Sequence, residues 1–416
     1  MTSLLLQHGR LVDDPHTEVD IAIADGMITA IAPALSQEAD QTLDLAGLLV
    51  SAPFVESHVH LDSALTAGQP RWNESGTLFE GIEIWRERKQ TLTVEDVKQR
   101  AIAALKLQAS QGVLFVRSHA DVSEPTQVPL KGLLAVREAV KDWLTLQVVA
   151  FPQDGIYSDP DNAARLETAL QMGADVVGGI PHYELTREDG VKSIQYIFDL
   201  AERYDRLIDI HCDEIDDDQS RFLEVVVAEA IRRNLGPKVT ASHTTAFGSY
   251  NNAYAFKLMG FLRRARINFV ANPLINLTLQ GRTDTYPKRR GLTRVKELWQ
   301  NGLNLSLGHD CIQDPWYVLG TGNLLAVASM AVHGCQMTGR DELAACYRMI
   351  TDFGAKSLHL GEQYGVAVGR PANLITLDAA DAIAAIRDRA TVCHVISRGH
   401  LLVSTSKPEV VWHRSV

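Results

Sequence analysis

The sequence predicts an α/β protein, a (β/α)8 TIM-type barrel carrying a small β-sandwich domain built from both termini. Three observations predict it. Short apolar runs recur through the middle of the chain with helical patterning between most of them. Both ends read as β-structure. Polar residues able to do chemistry stand at the C-terminal end of each apolar run in the middle, the face on which barrel enzymes place their sites.

At the amino end, Val19, Ile21 and Ile23 alternate with Asp20 and Ala22, Asp25-Gly26 supplies a hairpin turn, and Ile28 and Ile31 follow. Leu43 to Val50 is a further apolar run broken by Gly47. At the other end, Asn373 to Leu377 and Val392 to Val403 look like short strands. Residues 1–52 and 366–416 are therefore expected to form the small β domain and 53–365 the barrel. Within the barrel, strand candidates fall at Phe54–Ser57, Val113–Val116, Leu146–Phe151, Ala174–Gly178, Leu207–Ile210, Val239–Ala241, Ile267–Ala271 and Leu303–Leu307. The clearest helix begins at Thr93, whose hydroxyl can cap while Asp96 reaches back, ahead of Val97, Ala101, Ala104, Leu105 and Leu107. From about residue 58 to 113 the gap is too long for a single helix and predicts an insertion containing Trp72 and Phe79.

Composition excludes several classes of function. A net charge of −11 argues against nucleic acid, whose binders carry a basic footprint. The one basic run, Lys288-Arg289-Arg290, sits between Pro287 and Gly291 and reads as a solvated loop. No stretch of some 18 apolar residues suggests a membrane partner. Five cysteines without a C-x-x-C pair fit reduced thiols in a cytoplasmic protein.

His58 and His60 are one residue apart where the first apolar run ends, so on a strand both imidazoles share a face and can reach one metal ion. On its own such a pair is more often surface or core than ligand. His211, His243 and Asp310, each just past a later strand candidate, give it company. Three imidazoles and a carboxylate suit zinc or iron(II), and we assign His58, His60, His211 and Asp310 as ligands of one divalent metal. Glu214 follows His211 within one short loop, placed to carry a proton. His243 could be a ligand or could orient the attacking water, and the second role is preferred because four ligand positions are already filled. The fourth strand end offers no lysine for bridging a second metal. His119 and His182 are read as supporting rather than ligating, and Cys212 as packing.

This pattern resembles the amidohydrolase superfamily: His-x-His after strand 1, histidines after strands 5 and 6, aspartate after strand 8. Within it the chain is similar to the bacterial cytosine deaminases over nearly its whole length. The stretches Ser75-Gly76-Thr77-Leu78-Phe79-Glu80-Gly81, Phe151-Pro152-Gln153, His211-Cys212-Asp213-Glu214, Ala241-Ser242-His243-Thr244-Thr245 and Asp314-Pro315-Trp316-Tyr317 carry the likeness. The resemblance implies hydrolytic deamination at C4 of a pyrimidine base and a homo-oligomer. It also implies that Glu214 protonates ring N3 while His243 and Asp310 activate the water. Gln153 would pair with the amide-like edge, Leu78 would offer backbone contacts and Trp316 would wall the pocket.

One departure bears on the substrate. These enzymes resemble one another in a second aspartate directly after the metal-binding one, where this chain has Cys311. A thiol is smaller and uncharged, so 5-methylcytosine is the expected substrate alongside cytosine. The rival readings are an ordinary cytosine deaminase, an enzyme acting on another ring such as an oxopurine, creatinine or a cyclic amide, and a metal-free assembly protein. The last typically loses ligands, and here all the ligand positions are filled.

Overall fold

The computed structural model describes residues 3–407 and 410–413. Its strands fall into two sheets. The first takes β1 (Ser3–Leu11), β2 (Asp14–Ala24), β3 (Met27–Ala32), β4 (Gln41–Asp44) and β5 (Leu49–Ser51) from one end of the chain. The second is a run of parallel strands: β6 (Phe54–Val59), β7 (Val113–Asp121), β8 (Thr145–Phe151), β9 (Val176–Gly179), β10 (Leu207–Cys212), β11 (Val239–His243), β12 (Asn268–Ala271) and β13 (Leu305–Leu307). From the other end of the chain β14 (Leu374–Leu377), β15 (Val392–Ser397) and β16 (His400–Ser404) complete the first sheet.

That first sheet is mixed, in the order β16-β15-β14-β5-β1-β2-β3 with β4 beside β1, and β5 pairs antiparallel with β14 to join the two ends of the chain. It carries its own apolar cluster of Leu4, Leu6, Ile21, Ile23, Ile28, Val50, Leu374 and Ile396. The Asp25-Gly26 turn has φ of 52° and 76°, the left-handed pair that a tight two-residue hairpin requires. We propose the domain boundaries at 52/53 and 365/366, in line with this division.

The eight parallel strands run in chain order from β6 to β13. Closure of the ring is made by Asp310: its N–H donates to the His58 carbonyl at 2.8 Å and its carbonyl accepts from the His60 N–H at 2.9 Å. The barrel is thus zipped shut at a residue of the candidate site.

The insertion between β6 and β7 holds two helices, α1 (Leu78–Lys89) and α2 (Val94–Ser110). Thr93 caps α2 by accepting from the Asp96 N–H, as its sequence predicts. The reciprocal half differs, because the Asp96 carboxylate turns to Arg88 and Arg100 instead. A buried ion pair fastens α1 to the barrel mouth: Lys89 Nζ lies 2.8 Å from Asp121 and 2.6 Å from Asp154. Among the described residues no helix is long and apolar enough to cross a membrane.

The strands extend further than their apolar runs. His58 lies inside β6, His119 inside β7, His211 inside β10, and His243 ends β11, although each was expected just past its strand. Polar residues end an apolar run without ending the hydrogen-bonded ladder, so His211 still pairs with Ser242 and Cys212 with His243 across β10 and β11.

Candidate active site

The period-two alternation of β6 turns His58 and His60 to one face, and their ring centroids lie 5.5 Å apart. His211 and His243 arrive from adjacent strands β10 and β11 with centroids 4.9 Å apart. Asp310 adopts φ of 69°, which aims its carboxylate back into this group. The distances are those of a ligand cluster: His60 Nε2 is 3.1 Å from His211 Nε2, while Asp310 Oδ1 is 3.6 Å from His60 Nε2 and 3.8 Å from His58 Nε2.

Whether these residues fit a metal is answered by their unpaired atoms. His58 Nε2 is buried without a hydrogen-bond partner, and His60 and His211 point ring nitrogens at each other. A buried polar atom without a partner is costly, and a divalent cation accepting these lone pairs removes that cost. His58, His60 and His119 have ligand atoms within 4.8 Å of one another, as do His58, His211 and His243, and Glu214, His243 and Asp310. The donor set of imidazole nitrogen and carboxylate oxygen suits zinc or iron(II). His119 enters the cluster more closely than its supporting role suggests, with its ring 4.1 Å from that of His58.

Burial sets the electrostatics. It drives the imidazoles of His58, His60 and His211 well below the ordinary histidine range, reinforced by the neighbouring rings, and takes His243 down to about 3. The same burial lifts the Glu214 carboxyl to about 8 and that of Asp310 well above its usual value, the charge on Glu214 adding to the latter. Among the protein groups alone, neutral imidazoles and protonated carboxyls are therefore favoured. A cation reverses that preference for Asp310 by supplying the missing positive charge. Neutral imidazoles are the form in which histidine ligates metals.

Glu214 Oε1 lies 3.2 Å from His243 Nδ1, and His243 Nε2 lies 3.6 Å from Asp310 Oδ2. His243 thus stands between the two carboxyl groups. Above them is one pocket, lined by His60, Leu78, Gln153, His211, Glu214, Asp310, Cys311 and Trp316. Of the predicted site residues, only His58 and His243 are not in its wall; both lie just beneath it. The Leu78 carbonyl accepts from the Trp316 indole at 3.2 Å, so part of its backbone capacity holds the pocket wall in place.

Trp316 can lie there because residue 81 of α1 has no side chain. A Cβ on Gly81 would stand 2.3 Å from Trp316 Cδ1. In an ordinary helix Gly→Ala stabilises by about 0.5–1 kcal/mol. Here we predict that Gly81→Ala gives no gain in melting temperature and lowers kcat/KM about tenfold or more, because the indole must leave the pocket wall; a thermal melt and steady-state kinetics check it.

Several wall residues were not legible beforehand. Ile180, Ile275 and Leu279 supply apolar pocket surface. Asn276 approaches both Glu214 Oε1, at 3.3 Å, and His243 Nδ1, at 3.1 Å. The available signal was its spacing of four from Asn272, the residue that precedes the short helix Pro273–Leu279 after β12; both amides approach His243 Nδ1, at 3.3 and 3.1 Å. His182 is half-buried in the single turn Pro181–Tyr183 after the fourth strand, with both ring nitrogens out of solvent and unpartnered. Cys212 packs in the barrel core as read, its Sγ 3.6 Å from Asp213 Oδ2.

The sequence profile of the amidohydrolase family matches residues 41–403. The chain belongs to that family. Among relatives, N-isopropylammelide isopropyl amidohydrolase of Pseudomonas sp. (strain ADP) is 28% identical over 398 residues, 94% of each chain. Pterin deaminase of Rhizobium rhizogenes is 29% identical over 370 residues, 87% of this chain and 82% of that one. Among solved structures, 5-methylcytosine deaminase from Klebsiella pneumoniae liganded with 5-fluorocytosine superposes with a TM-score of 0.95 at 47% identity, covering 98% of this chain and 99% of that one. The same enzyme liganded with phosphonocytosine gives 0.94 at 48% identity over 98% and 100%. This amidohydrolase therefore shares its whole architecture, both sheets included, with an enzyme that acts on a pyrimidine base.

Proposed function

We propose that this amidohydrolase is a metal-dependent hydrolytic deaminase of cytosine-type bases, converting 5-methylcytosine to thymine and cytosine to uracil with release of ammonia. The observation that carries the reading is the placement of Glu214, Gln153, Cys311 and Trp316 around one pocket whose floor is the His/Asp cluster. In this reading His58, His60, His211 and Asp310 hold one divalent cation, zinc or iron(II). When bound, such an ion acts as a Lewis acid and makes a water nucleophilic near neutral pH. The reading includes a cytoplasmic homo-oligomer with a small pyrimidine as its partner and no nucleic acid.

The chain's own groups then account for the proton movements. Water adds to C4 of the ring; one of its protons passes to Asp310 or His243, and Glu214 delivers a proton to N3. The C4–N bond breaks as the amino group receives the proton held by Asp310 or His243 and leaves as ammonia, while the C4 hydroxyl returns its remaining proton to Glu214 and becomes the carbonyl. His243, within reach of both carboxyl groups, is placed to pass a proton from the water side to the ring side. Gln153 offers both a donor and an acceptor to the amide-like edge of the base. Trp316 and the Ile275 and Leu279 side chains present apolar walls suited to a flat, neutral ring.

The place of Cys311 supports the substrate assignment. It is buried beside Asp310, with Sγ 3.5 Å from Oδ1, and lines the pocket. Burial, together with the charges of Asp310 and Asp314, holds its thiol well above the ordinary cysteine range, so it is an uncharged wall rather than a nucleophile. A methyl group against it gains roughly 0.8 kcal/mol by burial, whereas the same methyl against a carboxylate would strip water from a charge. Both effects favour 5-methylcytosine. We predict that wild type deaminates 5-methylcytosine with kcat/KM equal to or above that for cytosine. In Cys311→Asp the ratio should shift toward cytosine by about tenfold or more. A wild type that rejects the methylated base, or an aspartate variant that accepts it equally well, would overturn the assignment. Cys311→Ser, equal in size, separates the loss of apolar character from the added charge.

A further inference from the structure

Beneath the histidines the barrel interior holds a buried ion pair that the proposed chemistry does not use. Arg117 of β7 and Asp209 of β10 are fully buried, with Nη1 3.0 Å from Oδ2. The guanidinium is fixed on its other sides by Gln147 Oε1 at 3.1 Å, Thr240 Oγ1 at 3.2 Å and the Ser357 carbonyl at 2.9 Å. The other oxygen of Asp209, Oδ1, lies 2.6 Å from Ser242 Oγ. Ser242 Oγ in turn lies 3.0 Å from His58 Nδ1. One more imidazole faces the same carboxylate oxygen, His119 Nε2 at 3.7 Å, beyond hydrogen-bond reach.

The direction of these bonds is forced by proton counting. A serine hydroxyl carries one proton, and a carboxylate paired with an arginine can only accept. The Ser242 proton therefore goes to Asp209, and Oγ is left to accept from His58 Nδ1–H. A neutral imidazole carries a single N–H, so His58 Nε2 must hold a lone pair. That atom is the one buried without a protein partner and turned toward Asp310. We propose that Arg117, Asp209 and Ser242 are positioning residues that fix the His58 tautomer with its Nε2 lone pair presented to the ligand cluster.

This inference rests on the reading of His58 as a cation ligand. It also gives a reason for the ion pair, since apolar residues of similar volume would serve packing as well or better. A neutral amide at 209 could donate to Ser242 and reverse the chain, and only a carboxylate held by a cation cannot. Partners of this kind on the far nitrogen of a ligating histidine commonly change metal affinity about 10–100-fold when lost.

The test uses the full chain, stripped with a chelator and titrated with Zn2+ against a competing chromophoric chelator. Nitrogen-15 spectra of the histidines in the stripped protein report the tautomer. Ser242→Ala is expected to weaken zinc binding about 10–100-fold with the fold intact, and to release His58 from its Nδ1–H form. Asp209→Asn should switch His58 to Nε2–H and weaken zinc at least as much. If Asp209→Asn does not fold, because Arg117 is left buried and unpaired, Ser242→Ala decides alone. Zinc binding of wild-type tightness in a folded Ser242→Ala, with His58 still in the Nδ1–H form, overturns the relay alone. A wild type that takes up no zinc overturns the ligand assignment, and the relay with it.

Discussion

Glu214→Gln is expected to keep its metal and its fold and to lose turnover by about 10²–10⁴-fold, the usual contribution of a positioned general acid or base. Glutamine matches glutamate in size, and its amide oxygen can still accept from Asn276 Nδ2, which lies 3.3 Å from Glu214 Oε1. What it cannot do is release a proton to a ring nitrogen. Burial raises the Glu214 carboxyl to about 8, so at neutral pH the protein's own groups favour the protonated form that a proton donor needs. The loss should fall on kcat with KM little changed, since the proton is delivered as the reaction proceeds rather than on binding. Ammonia release and metal content measured on the same preparation check it. Turnover near the wild-type rate would remove Glu214 from the proton path and leave His243 as the remaining donor.

The parts of the fold legible from sequence were those in which one pattern dominates. Alternating Val19, Ile21 and Ile23 before Asp25-Gly26 specify a hairpin, because the pleat and the left-handed turn demand the same residues. The strand ends were less legible for a physical reason. In β7, Arg117, Ser118 and His119 look like the start of a loop, yet all three are fully buried in the ladder. Arg117 is tolerated there only because Asp209, from a strand some ninety positions later, meets it in space. No local pattern can announce such a partner. The same holds for Lys89, which belongs to a surface-patterned helix but is buried between Asp121 and Asp154.

The candidate site shows a parallel split. The histidines of the proposed ligand set and Asp310 stand out because a buried strand end has little other use for such side chains. Asn276 and Gly81 do not stand out, because their importance lies in what approaches them: the Glu214 and His243 side chains in one case, the Trp316 indole in the other. His119 shows the limit from the opposite side. Read as a supporting residue, it lies with its ring 4.1 Å from His58 and 5.0 Å from His60, inside the cluster rather than behind it.

Asp310→Ala is expected to lower bound metal below one ion per chain and to reduce kcat/KM by at least about 10³-fold, because one side chain serves two purposes. Its Oδ1 faces the His58 and His60 nitrogens at 3.8 and 3.6 Å, and its Oδ2 faces His243 Nε2 at 3.6 Å. Removing it takes the only anionic donor from the proposed ligand set and one end of the proton path through His243. The backbone complicates the alanine variant, since Asp310 has φ of 69°, where a residue other than Gly, Asn or Asp is strained by roughly 1 kcal/mol. That strain falls on the residue whose N–H and carbonyl close the barrel against β6. Asp310→Asn is therefore the cleaner comparison: asparagine tolerates the same φ, keeps the closure and lacks only the charge. If both variants lose metal and activity while only the alanine variant loses several degrees of melting temperature, the carboxylate carries the chemistry and the backbone carries the closure. Full activity of Asp310→Asn with one bound ion would move the ligand assignment to His243, whose ring already shares the cluster with His58 and His211.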